Sequence, residues 1–200
     1  MEQQMQNNET MAQPGSASRT QPHTGIAPGA ALRMVRPRRR LLPQLPREID
    51  QVESRLLLLF RDLAAGREEW PLLLFGSVGT GKTRAALVLA DRAETASYFT
   101  VDTLCDLVVS GGAGPAWWEI LEGKELAILD ELGCRQSVGD LHYASVKKFL
   151  DTRELAGRRS ILIANQSPDE LRLLYDDRIC SRALCGTWFE LKGPDRRFAI

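Results

Sequence analysis

The sequence feature that most constrains the fold is a glycine-rich octapeptide, Gly76–Thr83 (GSVGTGKT), between two apolar segments. The run Trp70–Phe75 before it is typical of a strand buried on both faces of a parallel sheet, and the run from Lys82 to about Ala93 is typical of a helix. Glycines let backbone N–H groups turn inward, and a helix N-terminus adds its dipole. The pattern GxxxxGK[ST] in this context therefore predicts a phosphate-binding loop in an α/β protein.

All eight residues of the octapeptide are candidates for phosphate binding. A chance match is roughly a one-in-a-hundred event at average residue usage, so a glycine-rich turn with an incidental lysine is disfavoured. Lys82 is expected to reach the β- and γ-phosphates of a nucleotide, and Thr83 is expected to ligate Mg²⁺. The candidates are Gly76, Ser77, Val78, Gly79, Thr80, Gly81, Lys82 and Thr83.

Two acids, Asp130 and Glu131, directly follow the apolar run Leu126–Leu129. Acid pairs on their own are usually solvated turns, but a buried strand before them and a phosphate loop about fifty residues earlier favour a functional interpretation. At the carboxyl end of a parallel strand, Asp130 is expected to face the Mg²⁺ shell, and Glu131 is expected to polarise the attacking water. This division of labour indicates an ATPase rather than a kinase.

Asn165 ends the next apolar strand, Ser160–Ala164. Its amide is placed to hydrogen-bond both the γ-phosphate and the water. Equally, an asparagine here can simply begin a turn with Ser167 and Pro168. The residues alone leave both interpretations open.

The alternation of strands and helices predicts a mostly parallel sheet flanked by helices. We expect three parts. Residues 1–45 are predicted to be a disordered basic tail, because residues of this composition bury too little apolar surface to offset the entropy lost on ordering. Residues 46–67 are predicted to form a helix opened by Pro46, and residues 68–200 to form the nucleotide-binding domain. The block Arg36–Arg40 fits phosphate attraction and a solvated linker equally well.

Scattered cysteines and the lack of a long apolar run predict a cytoplasmic protein without a membrane segment.

Four motifs taken together resemble the AAA+ ATPases, most closely the DnaC/DnaI-type helicase loaders and the related IstB transposition helpers. The resemblance covers about residues 70–195. It implies that the octapeptide is the Walker A motif, Asp130 and Glu131 the Walker B pair, Asn165 sensor 1, and Arg182 an arginine finger for the neighbouring subunit. Without the resemblance, Arg182 and Arg178 would be taken as an ordinary solvated helix face. The motifs are GSVGTGKT, LAILDELG (126–133), ILIANQSPDEL (161–171) and DDRICSR (176–182).

The resemblance also implies a function. It predicts binding and hydrolysis of ATP with Mg²⁺, slow until an ATP-bound homo-oligomer forms, and action on a replicative DNA helicase at single-stranded DNA. One alternative is an IstB-like helper that acts on duplex DNA; another is an ATP-gated interaction module with little turnover. The chain departs from many AAA+ proteins because too few residues follow Leu191 for a helical lid, and Arg196 or Arg197 would substitute for its arginine only weakly.

Overall fold

A computed structural model describes residues 52–109, 121–134 and 138–195. The tail expected at residues 1–45 lies outside these ranges, as do Arg196 and Arg197. The helices are α1 Ser54–Ala64, α2 Lys82–Ala90, α3 Val101–Val109, α4 Asp140–Leu155, α5 Pro168–Leu174 and α6 Asp177–Ala183. The strands are β1 Leu72–Phe75, β2 Ala96–Thr100, β3 Leu126–Leu132, β4 Arg159–Ala164 and β5 Thr187–Glu190. None of the helices in the described ranges is both long and apolar enough to span a bilayer.

The five strands form one sheet in the order β2-β3-β4-β1-β5, and every pairing is parallel. The predicted α/β fold with a parallel sheet is therefore confirmed. β4 lies between β1, which leads into the octapeptide, and β3, which carries the two acids. Because the strands are parallel, their carboxyl ends meet at one edge of the sheet, where ligands bind in such folds.

Apolar residues cover both faces of the sheet. On one face, Leu56 and Leu63 of α1 pack with α2 against β1 and β4. On the other face, Leu104 of α3 and Phe149 of α4 pack against Leu129 and its neighbours. In the described residues, α1 therefore shares a core with the sheet instead of projecting from it.

Several boundaries differ from those expected. The predicted start of the first helix, at Pro46, lies outside the described residues; within them, α1 begins at Ser54, after Glu53 with a ψ of 129°. The helix after the octapeptide ends at Ala90. β3 continues to Leu132, so the acids lie within the strand and not after it.

A bulge in β3 coincides with the two acids. Leu129 pairs with Leu162 and Leu132 pairs with Ala164, so Asp130 and Glu131 together lie opposite the single residue Ile163. An extra residue of this kind bends a strand and redirects its side chains, and it is common next to active sites. On the other side of β3, Asp130 keeps its register with Thr100 of β2.

A buried arginine fastens α4 to the amino-terminal ends of β3 and β4. Arg153 is 2% exposed. Its guanidinium donates to four backbone carbonyls and to a hydroxyl, which is why a charged side chain is tolerated at this position. The acceptors are the carbonyls of Leu121, Lys124 (2.7 Å), Glu125 (3.0 Å) and Arg159 (2.5 Å), and Ser160 Oγ (3.4 Å).

Replacing Arg153 with methionine is expected to lower the free energy of unfolding by about 3 kcal/mol, because it leaves several buried carbonyls without a donor. Urea unfolding followed by circular dichroism measures the change. Arg158→Met is the matched control: Arg158 is exposed and is expected to contribute within about 0.5 kcal/mol. Equal unfolding midpoints for the two variants would show that Arg153 does not stabilise the contact between α4 and the strands.

Candidate functional site

The octapeptide forms a loop whose backbone requires glycine at particular positions. Gly76 has φ 132°, and a Cβ there would lie 2.3 Å from the carbonyl oxygen of Leu191. Gly81 has φ 96° immediately before α2 begins at Lys82. Both backbones lie in the region that side chains disfavour, so the glycines are needed for the path of the loop and not only for its flexibility.

Lys82 lies folded back along the loop. It is 6% exposed, and its Nζ donates to the carbonyl oxygens of Gly76 and Ser77, each at 2.7 Å. Thr80 Oγ1 donates to the same Ser77 carbonyl at 2.9 Å. These bonds hold a positive charge at the N-terminus of α2, where the helix dipole also favours an anion.

The loop and the acid strand meet through one hydrogen bond. Thr83 Oγ1 donates to Asp130 Oδ2 at 2.7 Å, across 47 residues of sequence. Asp130 is 6% exposed. A hydroxyl and a carboxylate this close supply two hard oxygen ligands, and Mg²⁺ typically takes only one or two ligands from a protein, with water and phosphate oxygens completing its shell. The donor set therefore fits Mg²⁺.

Of the two acids, Glu131 has the unusual backbone conformation. It is the one residue other than glycine with a positive φ (65°) among the described residues. Strain of this kind collects at functional sites. Its side chain is exposed, and partial desolvation, followed by the charges of Asp130 and Asp102, raises the pKa of the Glu131 carboxyl above its ordinary value. A raised pKa brings a carboxylate closer to the range in which it accepts a proton from water.

One cavity of about 400 Å³ brings most of the predicted residues together. Asn165 follows β4, the strand between the loop strand and the acid strand, so its exposed side chain lies between the two. Gly76 and Ser77 take part through their carbonyls, which hold Lys82. The predicted residues that line the cavity are Val78, Gly79, Thr80, Gly81, Lys82, Thr83, Asp130, Glu131 and Asn165.

Arg182 lies away from this cavity, on α6. Its Nε is 2.9 Å from Asp151 Oδ1 and 2.7 Å from Glu154 Oε2, both on α4. Its Nη1 donates to the carbonyl oxygen of Arg178, one turn earlier. Within one protomer Arg182 is therefore held by carboxylates of its own chain, and its action on a neighbouring copy stays a prediction.

Two parts of the site are not predicted by the sequence. The Tyr98 hydroxyl, on β2, donates to Asp130 Oδ2 at 2.8 Å. The segment after β5 crosses the loop, because Leu191 approaches Gly76 and a Cβ on Gly79 would lie 1.9 Å from Asp195 Oδ1. Only the register of β2 on β3, and the path of the chain after β5, reveal these contacts.

The fold is shared with proteins of DNA replication. DnaI superposes with a TM-score of 0.59 at 20% identity over 79% of this chain and 98% of its own. The DnaC helicase loader gives 0.58 at 16% identity, over 78% and 99%. The replication initiator DnaA bound to AMPPCP and single-stranded DNA gives 0.61 at 22% identity, over 77% and 51%.

These likenesses, all under 25% identical in sequence, show that the chain shares its fold with DnaI and the DnaC helicase loader, as the resemblance implied. This chain spans about half the length of the initiator chains that it matches. No protein-family model matches the sequence, and no curated protein matches it. The IstB side of the resemblance stays a prediction.

Proposed function

We propose that this chain is a cytoplasmic AAA+ ATPase that acts on a replicative DNA helicase at single-stranded DNA. The observation that carries the ATPase part is the hydrogen bond between Thr83 and Asp130. It joins the phosphate loop to the acid strand within a single cavity, which Glu131 and Asn165 also line. A site that only cradled phosphate would not need the acids or the amide.

Each residue has a distinct role in this proposal. Lys82 binds the β- and γ-phosphates, and Thr83 and Asp130 hold Mg²⁺, which when bound neutralises charge on the phosphate oxygens. Glu131 orients the attacking water and accepts its proton, and Asn165 hydrogen-bonds the γ-phosphate and the water. These groups belong to one protomer.

In this proposal, Arg182 of a second protomer supplies a further positive charge to the bound nucleotide. Its side chain lies on α6 and is 35% exposed, so it is accessible to a neighbouring copy. A trans arginine explains why hydrolysis would stay slow until copies assemble, since such a group contributes about 10³ to 10⁵ in rate. A homo-oligomer in the ATP state is thus part of the proposal.

The client is proposed from the solved structures. One neighbour is described as a helicase loader, and another is bound to AMPPCP and single-stranded DNA. Their shared fold supports a replication role for this chain, with a helicase as protein partner and single-stranded DNA as nucleic acid.

A pull-down tests the client. Tagged wild-type protein and Lys82→Ala are each incubated with cell extract, Mg²⁺ and ATP, with single-stranded or duplex DNA added. We expect the wild type to retain the replicative helicase, more strongly with single strands, and Lys82→Ala to lose it because ATP binding is lost. Lys148→Ala, an exposed lysine on α4, is the control for loss of a positive charge.

The other outcomes identify the alternatives. Retention of a transposase on duplex DNA would replace the helicase with the transposition client. ATP-dependent retention by a protein that shows no hydrolysis in a single-turnover assay would indicate the interaction module. Equal retention of the helicase by wild type and Lys82→Ala would show that client binding does not depend on bound ATP.

A further inference from the structure

Three hydrogen bonds fix the orientation of the Asp130 carboxylate. Oδ1 accepts from the backbone N–H of Glu131 at 2.7 Å. Oδ2 accepts from Thr83 Oγ1 at 2.7 Å and from the Tyr98 hydroxyl at 2.8 Å. The first two donors belong to the acid pair and the phosphate loop, whereas Tyr98 comes from β2 and has no place in the motifs of the sequence.

The register of the sheet explains how Tyr98 reaches Asp130. Tyr98 pairs with Ile128, and Thr100 pairs with Asp130, so Tyr98 lies diagonally across from the acid on the same face. Adjacent strands lie about 4.8 Å apart and two residues along a strand span about 6.6 Å, so these diagonal neighbours are about 8 Å apart at the backbone, a distance that an aromatic side chain spans. The tyrosine ring packs into the core on that face, while its hydroxyl lies at the cavity that Thr83 and Asp130 line.

The hydroxyl acts as a donor at neutral pH. A phenol is protonated at neutral pH, and the hydrogen of the Tyr98 hydroxyl is directed at a carboxylate. Such a bond is stronger than one between two neutral groups.

We infer that Tyr98 is a positioning residue of this site, which holds Asp130 in the orientation that serves Mg²⁺ together with Thr83. The inference rests on the proposed function. Thr83 is expected to turn its oxygen toward the cation, whereas Tyr98 is not a proposed ligand and its bond to Oδ2 does not depend on that change. Partners of this kind commonly contribute about 10- to 100-fold in metal affinity.

The test uses Tyr98→Phe, which keeps the ring and removes only the hydroxyl. A fluorescent ATP analogue is titrated with the full chain at rising Mg²⁺ concentrations and, separately, in EDTA. We expect the Mg²⁺ concentration for half-maximal binding to rise about 10-fold, with analogue affinity in EDTA and the urea unfolding midpoint unchanged. Tyr143→Phe is the matched control, because it loses a similar hydroxyl bond, to Asp176 at 2.8 Å, outside the cavity lining.

The outcomes separate this inference from the proposed function. An unchanged Mg²⁺ requirement in Tyr98→Phe, beside a wild type that responds to Mg²⁺, would overturn the role of Tyr98 alone. An equal loss of affinity with and without Mg²⁺, or a lower unfolding midpoint, would show that the hydroxyl supports the fold only. A wild type whose binding ignores Mg²⁺ would overturn both proposals.

Discussion

Arg182→Ala is expected to bind ATP as tightly as the wild type and to lose the rise in turnover that assembly brings, by about 10³- to 10⁵-fold. Arg182 does not line the cavity of its own protomer, so ATP binding should not depend on it. Its ion pairs with Asp151 and Glu154 are partly exposed, and such pairs contribute little to stability. Turnover measured at rising protein concentration reports the change.

Two matched substitutions locate the effect. Arg172→Ala, on α5, loses an exposed ion pair to Asp169 and is expected to keep the concentration-dependent rise. Arg178→Ala tests the other arginine of α6, one turn before Arg182. Unchanged stimulated turnover in Arg182→Ala would refute its assignment, and a loss confined to Arg178→Ala would transfer the role to that residue.

Glu131→Gln is expected to retain ATP and to slow a single round of hydrolysis by about 10²- to 10⁴-fold, the usual contribution of a general base. Glutamine has nearly the same shape and can still hydrogen-bond water, but it does not take up the proton. Rapid mixing of protein with limiting ATP, followed by quantification of ADP, measures the step. Equal rates in the two proteins would leave Glu131 without a catalytic role.

The pH profile adds an independent check on Glu131. Its pKa is raised from 4.5 by partial burial, then by Asp130 and Asp102, and a base works only when deprotonated. The rate should therefore fall on acidification at a pH above the ordinary carboxyl range. Asp102→Asn removes one of the negative charges and should shift this fall to lower pH, whereas Asp106→Asn, one turn further along α3, should leave it in place.

The sequence predicted the parts of the site that depend on short-range pattern. The loop Gly76–Thr83 and the acids Asp130 and Glu131 each follow an apolar strand, and parallel strands place such ends together. Their meeting through Thr83 and Asp130 agrees with that expectation. For Asn165, which the residues left undecided, the structure shows a position at the cavity and leaves its role as a proposal.

The rest depended on tertiary packing. In the sequence, Tyr98 is one aromatic residue of a predicted strand. Only the pairing of β2 with β3 shows that its hydroxyl lies at Asp130. The carboxylates that hold Arg182 lie 28 and 31 residues earlier, on a helix whose contact with α6 no local pattern specifies. Arg153 likewise looked like any charged helix residue, although it is buried.

The bulge in β3 has an energetic consequence for the acids. Asp130 and Glu131 together face Ile163 alone, so they fall outside the regular pairing with β4, while Asp130 remains in register with Thr100 on β2. A small displacement of the acids would therefore break no regular rung between β3 and β4 at the centre of the sheet. It would act first on the end of β2, which passes directly into α3 at Val101. Such a displacement would have to overcome the pairing with Thr100 and the three hydrogen bonds on Asp130, while the central strands that carry the loop keep their pairing.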